Sequence, residues 1–420
     1  MKIALIIHEM LVEGGGERQC AALARALTRQ GHDVMLFTSS YNTNCFPEIC
    51  KDVKVQEIGR GWLPWLRKPL PVRGYLDMLH MVAKVNERYD IWNPQHWPAQ
   101  WGAIRLKEKL GGAVAWMCND VPNFHLKATK PASLANFLLA PLYWLYYLCD
   151  RRQTRKVDIT VLVSKWAQSE FTPLYPGKTR VLGPGVDTNR FRAGGDRNRV
   201  RHKFSYSEQD FVLLWLGILM PHRRLEDAIE AVGRLSSSGH NIKLLLAGSH
   251  HHDLRYCRSL EALTERLKLK DIVTFAGKVP DEEICDYYAA CDAFLFPNDQ
   301  QTWGLAVLEA MACGRPVLVS RGSGVSEALT DSENAILFSP RNPAELAEKI
   351  GSLISRPELQ RKLAENGMRL ACEHYTWEEY AKSFCEICRE VTAQEMAVPS
   401  GPGIPAREIP SAAELRRRSG

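Results

Sequence analysis

Gln301 and Glu309 stand in the stretch QTWGLAVLEAMACGRPVLVS, residues 301–320, with Gly304 between them. The stretch reads as a loop, a short helix from about Leu305 to Cys313 ended by Gly314, and a buried strand opened by Pro316. An acid within an apolar helix, an amide in the loop that enters it and an intervening glycine aim polar groups at one place. The free N–H groups of the helix start, with the dipole behind them, favour a diphosphate. Glu309, about one turn further in, can accept hydrogen bonds from a ribose diol, as acids do in other nucleotide-binding sheets. Gln301 can reach hydroxyls beyond the phosphate.

Two further loops add to this chemistry. In ILMPHRRLEDAI, Arg223 and Arg224 stand before a helix starting near Leu225, where a guanidinium can fork onto phosphate oxygens. In FAGKVPDEE, backbone groups at Gly277, Lys278 and Val279 can read the edge of a base. Each has a bland reading: a solvated helix start, a first-turn acid, a common glycine. Their joint placement on strand ends facing one crevice favours a site. The SHHHD run at 249–253 reads as a loop, because adjacent histidines rarely converge on one ion, and Cys385 and Cys388 read as one helix face. No metal site is expected.

The elements that position these loops follow from periodicity. Ile3–Ile7 is a strand, Gly14, Gly15 and Gly16 form a loop, Glu17–Gln30 is an amphipathic helix, and Val34–Phe37 is the next strand. Further strands are expected around Ile91, then at Ala113–Met117, Ile159–Val163 and Arg180–Leu182. A second series covers Val212–Leu216, Lys243–Ala247, Ile272–Ala276, Ala293–Phe296, Pro316–Ser320 and Ala335–Phe338. Continuous apolar strands alternating with helices imply parallel sheets covered on both faces. Residues 183–199 are rich in Gly, Asp, Asn and Arg and read as a linker. The expected fold is α/β: two Rossmann-like, doubly wound domains facing each other across a cleft. Residues 357–391 read as two helices broken near Tyr375, and the tail from about Ala393 as disordered.

With 420 residues, the chain is long enough for two or three domains, and 45 % hydrophobic and 24 % charged residues are ordinary for a globular protein. A net charge of +6 is far from a nucleic-acid-binding signature, and twelve scattered cysteines suit a reducing cytosol. The opening apolar run is too short for a signal peptide, and no run is long enough to span a bilayer. LANFLLAPLYWLYYL, residues 134–148, is flanked by Lys127, Lys130, Arg151, Arg152, Arg155 and Lys156. It is either a helix buried in its domain or an interfacial segment. WLPWLRKPLPVR, residues 62–73, has the same aromatic and basic character and tips the balance toward membrane contact. The expected location is cytoplasmic, with peripheral contact at an anionic inner membrane face through 62–73 and 134–156.

Several motifs occur in one order: EGGGERQCAALARAL near the start, VSKWAQSEF, VLGPGVDTNRF, LGILMPHRRLEDAI, FAGKV, then QTWGLAVLEAMACGRPVLVS with GSGVSEAL behind it. On these the chain resembles, over about residues 1–391, the retaining GT-B glycosyltransferases of the group 1 type. The resemblance implies an acceptor domain at 1–184, a linker at 185–199, a donor domain at 200–374, a helix at 375–392 returning to the first domain and a tail at 393–420. It implies that Glu309 holds the ribose, that Leu305 after Gly304 meets the phosphate through its N–H, and that Arg223 replaces a lysine neutralising the diphosphate. Gly15 and Gly16 match the loop closing on the phosphate from the other domain. Lys278 and Val279, after Gly277, match the base-reading loop.

Three positions depart from the family pattern. Gln301 replaces the first signature glutamate, which contacts the transferred sugar. Ile218 replaces an arginine, a loss that Arg224 or His222 would have to make good. Asn119 replaces the histidine of an acceptor-side pair, beside Asp120 and with His125 nearby. The implied catalytic set is Arg223, Gln301, Glu309 and Asn119. The implied activity is a hexosyltransferase moving a hexose from GDP-mannose or a UDP-hexose, with retention, to a glycan or lipid-linked acceptor in glycoconjugate or polysaccharide synthesis. The nucleotide sugar is a co-substrate. No cofactor is expected, and with no D-x-D triplet no metal clamp either. The alternatives are a non-catalytic sugar-nucleotide-binding homologue and a GT-B sugar-nucleotide epimerase.

Overall fold

The computed structural model describes residues 1–11, 14–61, 71–122, 124–129, 137–249 and 252–397. Most of the 62–73 segment, the first part of 134–148, two histidines of the SHHHD run and residues 398–420 lie outside these.

Two parallel sheets carry the fold. The first orders its strands β3-β2-β1-β4-β5-β6-β7, with β1 at Lys2–Met10, β2 at Asp33–Tyr41, β3 at Lys54–Glu57, β4 at Ile91–Gln95, β5 at Ala113–Cys118, β6 at Ile159–Leu162 and β7 at Thr179–Val181. The second orders them β10-β9-β8-β11-β12-β13, with β8 at Phe211–Leu216, β9 at Ile242–Ala247, β10 at Val273–Gly277, β11 at Ala293–Phe296, β12 at Val317–Ser320 and β13 at Ile336–Phe338. Each order reverses once, between β1 and β4 and between β8 and β11, and ligands of open α/β sheets bind outside the strand ends at such points.

Both faces of each sheet are covered, as the continuous apolar runs require. In β1, Ile3, Leu5 and Ile7 join the core under helices Gly15–Arg29 and Trp377–Ala397, while Ala4 and Ile6 face the opposite core. The last helix is therefore built into the first sheet's core although it follows the second domain in sequence. Gln19 Nε2 donates to Tyr380 Oη at 2.7 Å, and Val186 N donates to Tyr375 O at 2.7 Å. Cys385 and Cys388 are buried there.

Four elements differ from the sequence reading. β1 runs on through His8 and Glu9 to Met10, pairing Glu9 with Ser40 and Met10 with Tyr41. β3, KVQE, is a short edge strand with little apolar patterning. Helix Arg197–Lys203 begins inside the expected linker, capped by the Asp196 carboxylate and anchored by buried Arg201, which pairs with Asp292 at 2.7 Å. The final helix passes the expected end and continues through Ala397, over residues that are good helix formers.

Candidate functional site

Helix Leu305–Ala312 starts without a side-chain cap, so its first N–H groups are left to the space before it. The sequence forces this approach. A Cβ on Gly304 would meet the Phe296 ring at 2.8 Å and Val325 at 3.0 Å, so only glycine lets the chain turn in against β11. Gln301 is pinned by its backbone, its carbonyl accepting from Gly324 N at 2.8 Å. Its side-chain oxygen accepts from Arg223 Nη1 at 2.5 Å. Arg223 closes a short 3-10 turn, Pro221–Arg223, after β8. Its buried Nε has no partner among the described residues. Burial pulls its guanidinium down to about 10, still protonated at neutral pH.

From the other domain, helix Gly15–Arg29 also starts without a side-chain cap. Its tip meets the first: a Cβ on Gly15 would lie 3.9 Å from Leu305 Cδ1. Between the two tips lies a cavity of about 430 Å³, lined by Gly15, Gly16, Arg223, Gln301, Leu305 and Glu309 among others. A second lobe of about 490 Å³ shares Arg18, Leu305 and Glu309 with it. Within this part of the cleft, Tyr288 Oη donates to Glu309 Oε2 at 2.9 Å, fixing one carboxylate oxygen. Burial and the Glu309 charge keep the Tyr288 phenol protonated. Arg18 and Arg190 both contact Asp281, at 3.1 and 2.6 Å, which joins the two domains across the cleft.

A third lobe of about 740 Å³ lies wholly on the first domain and shares Gly15, Gly16, His96 and Asp120 with the central cavity. His96 follows β4 with φ +59, a left-handed conformation uncommon outside glycine. It packs on the glycine loop so closely that a Cβ on Gly16 would lie 2.0 Å from its Nε2. Its Nε2 is 3.4 Å from Asn119 Nδ2. Burial lowers its pKa against an opposing pull from Asp120, so the ring is mostly neutral at pH 7. Asp120 accepts from Thr302 Oγ1 of the second domain at 3.5 Å.

Not every expected residue comes to the cavity. Arg224 turns onto its own helix, donating to both oxygens of Asp227 at 3.0 and 2.8 Å and meeting Glu226 at 2.6 Å. It supplies no free charge in place of Ile218, which lines the cavity itself. Nor does His222, whose pKa burial and Arg223 lower. Lys278 is exposed, Val279 is buried, and Gly277 passes its carbonyl to Gly248 N at 2.7 Å, so all three stand at the rim of the strand ends. His125 packs on Trp144 and Tyr147. His96, Arg18, Arg190 and Asp281 line the lobes without having been singled out in the sequence.

Two doubly wound domains with opposed helix starts around one cavity define the GT-B class of transferase. The first half, residues 13–190, matches the family model Glycosyltransferase Family 4, and residues 196–370 match Glycosyl transferases group 1. The chain belongs to the group 1 glycosyltransferases. It is 26 % identical over 410 residues to a D-inositol 3-phosphate glycosyltransferase of Geodermatophilus obscurus, covering 93 % of this chain and 88 % of that one. It is also 26 % identical over 403 residues to the mannosylfructose-phosphate synthase of Agrobacterium fabrum, covering 89 % and 86 %. Among solved structures, a sucrose-phosphate synthase from Thermosynechococcus elongatus superposes with a TM-score of 0.74 at 21 % identity, over 94 % of this chain and 99 % of that one. HepE of Anabaena in complex with UDP superposes at 0.72 and 19 %, over 93 % and 100 %.

Proposed function

We propose that this glycosyltransferase moves a hexose from a nucleoside-diphosphate sugar, a UDP-hexose or GDP-mannose, to a glycan or lipid-linked hydroxyl with retention at the anomeric carbon. The observation that carries this reading is the half-buried Arg223, whose buried Nε has no partner among the described residues, set beside two uncapped helix starts around one cavity. Such an arrangement is preorganised for a diphosphate acquiring charge. Glu309 holds the ribose and Gln301 contacts the hexose.

The bond from the anomeric carbon to the phosphate oxygen breaks, and its electrons stay on the leaving diphosphate. The sugar passes through an oxocarbenium-like state. The acceptor oxygen attacks from the same face, and its proton passes to the departing phosphate oxygen. Glu309 is tied to Tyr288, which suits a binding role better than a nucleophile's. The acceptor hydroxyl enters from the 740 Å³ lobe, past His96, Asn119 and Asp120. Twelve cysteines scattered along the chain suit work in a reducing compartment.

Thermal denaturation against UDP-, GDP- and ADP-linked hexoses tests the reading. The right donor stabilises the protein by about 2.7 kcal/mol at a hundredfold excess over its Kd, and Glu309→Ala removes that stabilisation. Normal donor binding by this variant overturns the assignment of the ribose. No response to any donor overturns the whole reading.

A further inference from the structure

Helix Ala140–Thr154 is built inside out. Toward the protein it presents Tyr147, Asp150 and Thr154, all buried. Asp150 Oδ1 accepts from Gln100 Nε2 at 2.9 Å and from Trp101 Nε1 at 2.6 Å. Away from the protein it presents Leu142, Leu145 and Leu148, spaced as one stripe, with Leu145 56 % exposed. The turn before it extends the stripe with Phe137 and Leu138, 63 % and 71 % exposed. A single exposed leucine is ordinary, but a contiguous apolar face marks an interaction surface.

Charge identifies the partner. Between Asp120 and Asp158 the sequence holds six lysines and arginines against one acid, Asp150, and that acid is buried. At the end of the leucine stripe Arg152 and Arg155 are exposed and have no acidic partner among the described residues, whereas Lys156 is taken by Glu108 at 2.5 Å. Apolar residues that grade into arginines suit a layer whose interior is hydrocarbon and whose surface is anionic. Among the described residues no helix is long and apolar enough to cross a membrane.

We propose that this face docks the protein flat on a bilayer containing anionic lipid. Helices Phe124–Thr129 and Ala140–Thr154, which carry the face, also supply Phe124, Lys127 and Tyr143 to the wall of the 740 Å³ lobe. Docking therefore brings the acceptor lobe to the lipid surface. That consequence rests on the transfer reading; the docking itself does not.

The full chain is sedimented with vesicles of phosphatidylcholine alone and of phosphatidylcholine mixed with phosphatidylglycerol. Binding is expected to the mixed vesicles, falling as salt is raised. Leu142→Gln with Leu145→Gln, and separately Arg152→Glu with Arg155→Glu, weaken it at least tenfold. Both pairs lie on the surface, so the melting temperature and calorimetric donor binding stay unchanged. Equal binding to both vesicle types, or binding to neither, overturns the proposal. So does a dimer in the ultracentrifuge that Leu145→Gln disperses, which gives the face to a second copy. Vesicle binding without donor binding overturns the transfer reading instead.

Discussion

Arg223 donates one guanidinium N–H to Gln301 and keeps Nε without a partner among the described residues. A charge-assisted hydrogen bond to an anion contributes about 1.5–3 kcal/mol. Arg223→Ala should therefore weaken UDP or GDP binding by roughly tenfold to a hundredfold in calorimetry, while Arg224→Ala, whose side chain is held by Glu226 and Asp227, leaves it nearly unchanged. That difference was open to reading in the sequence: Asp227 in LEDAI follows Arg224 by three residues, a spacing of helix ion pairs. His96 was not, because its place depends on a left-handed backbone and on the glycine loop of a distant segment. His96 and His222 both have lowered pKa values, from burial first. The folded state then takes up protons less readily than the unfolded one, so stability is complete above about pH 6.5 and falls below it. Burial pushes Asp150 up to about 6, and its opposite effect falls below that value. Melting between pH 7.5 and 6 should therefore show this histidine loss, with Cys285, whose hydrogen bond with Cys313 brings its thiol down to about 7, adding to it and Asp150 opposing it as pH 6 is approached. His96→Asn, which tolerates the left-handed backbone, should shrink it.

The short helix Leu305–Ala312 matters for where its first turn points, and Gly304 sets that direction. Gly304→Ala would press a methyl into Phe296 and Val325. Overpacking of this kind costs about 1–3 kcal/mol, which urea unfolding can measure. The helix start would also move, so donor affinity should fall beyond what the stability loss explains. This helix and the strands around it were legible because glycine and proline punctuate an apolar run. β3 and helix Arg197–Lys203 were not. They are four and seven residues long, and what fixes them is pairing with β2 and the anchor from Arg201 to Asp292.

The doubly wound architecture of the whole molecule followed from strands apolar on both faces, but how closely the domains approach did not, since it depends on contacts far apart in sequence. Glu327 of the second domain accepts from Lys165 N and Trp166 N, each at 2.7 Å, at the start of a helix of the first. Gly324 beside it sits so tightly that a Cβ would lie 2.7 Å from Ser164 Oγ. Glu327→Ala should cost about 1 kcal/mol, as the loss of a helix cap does. Because the cap crosses between domains, small-angle scattering should also show a larger radius of gyration before nucleotide is added.

The facing of Gly15 toward Leu305 has one more consequence. Each helix tip carries roughly half a positive charge, so the two starts present like poles that repel across the gap. Any small multivalent anion seated in the gap turns that repulsion into glue. Sulfate or pyrophosphate alone should then compact the protein, with no sugar or base attached.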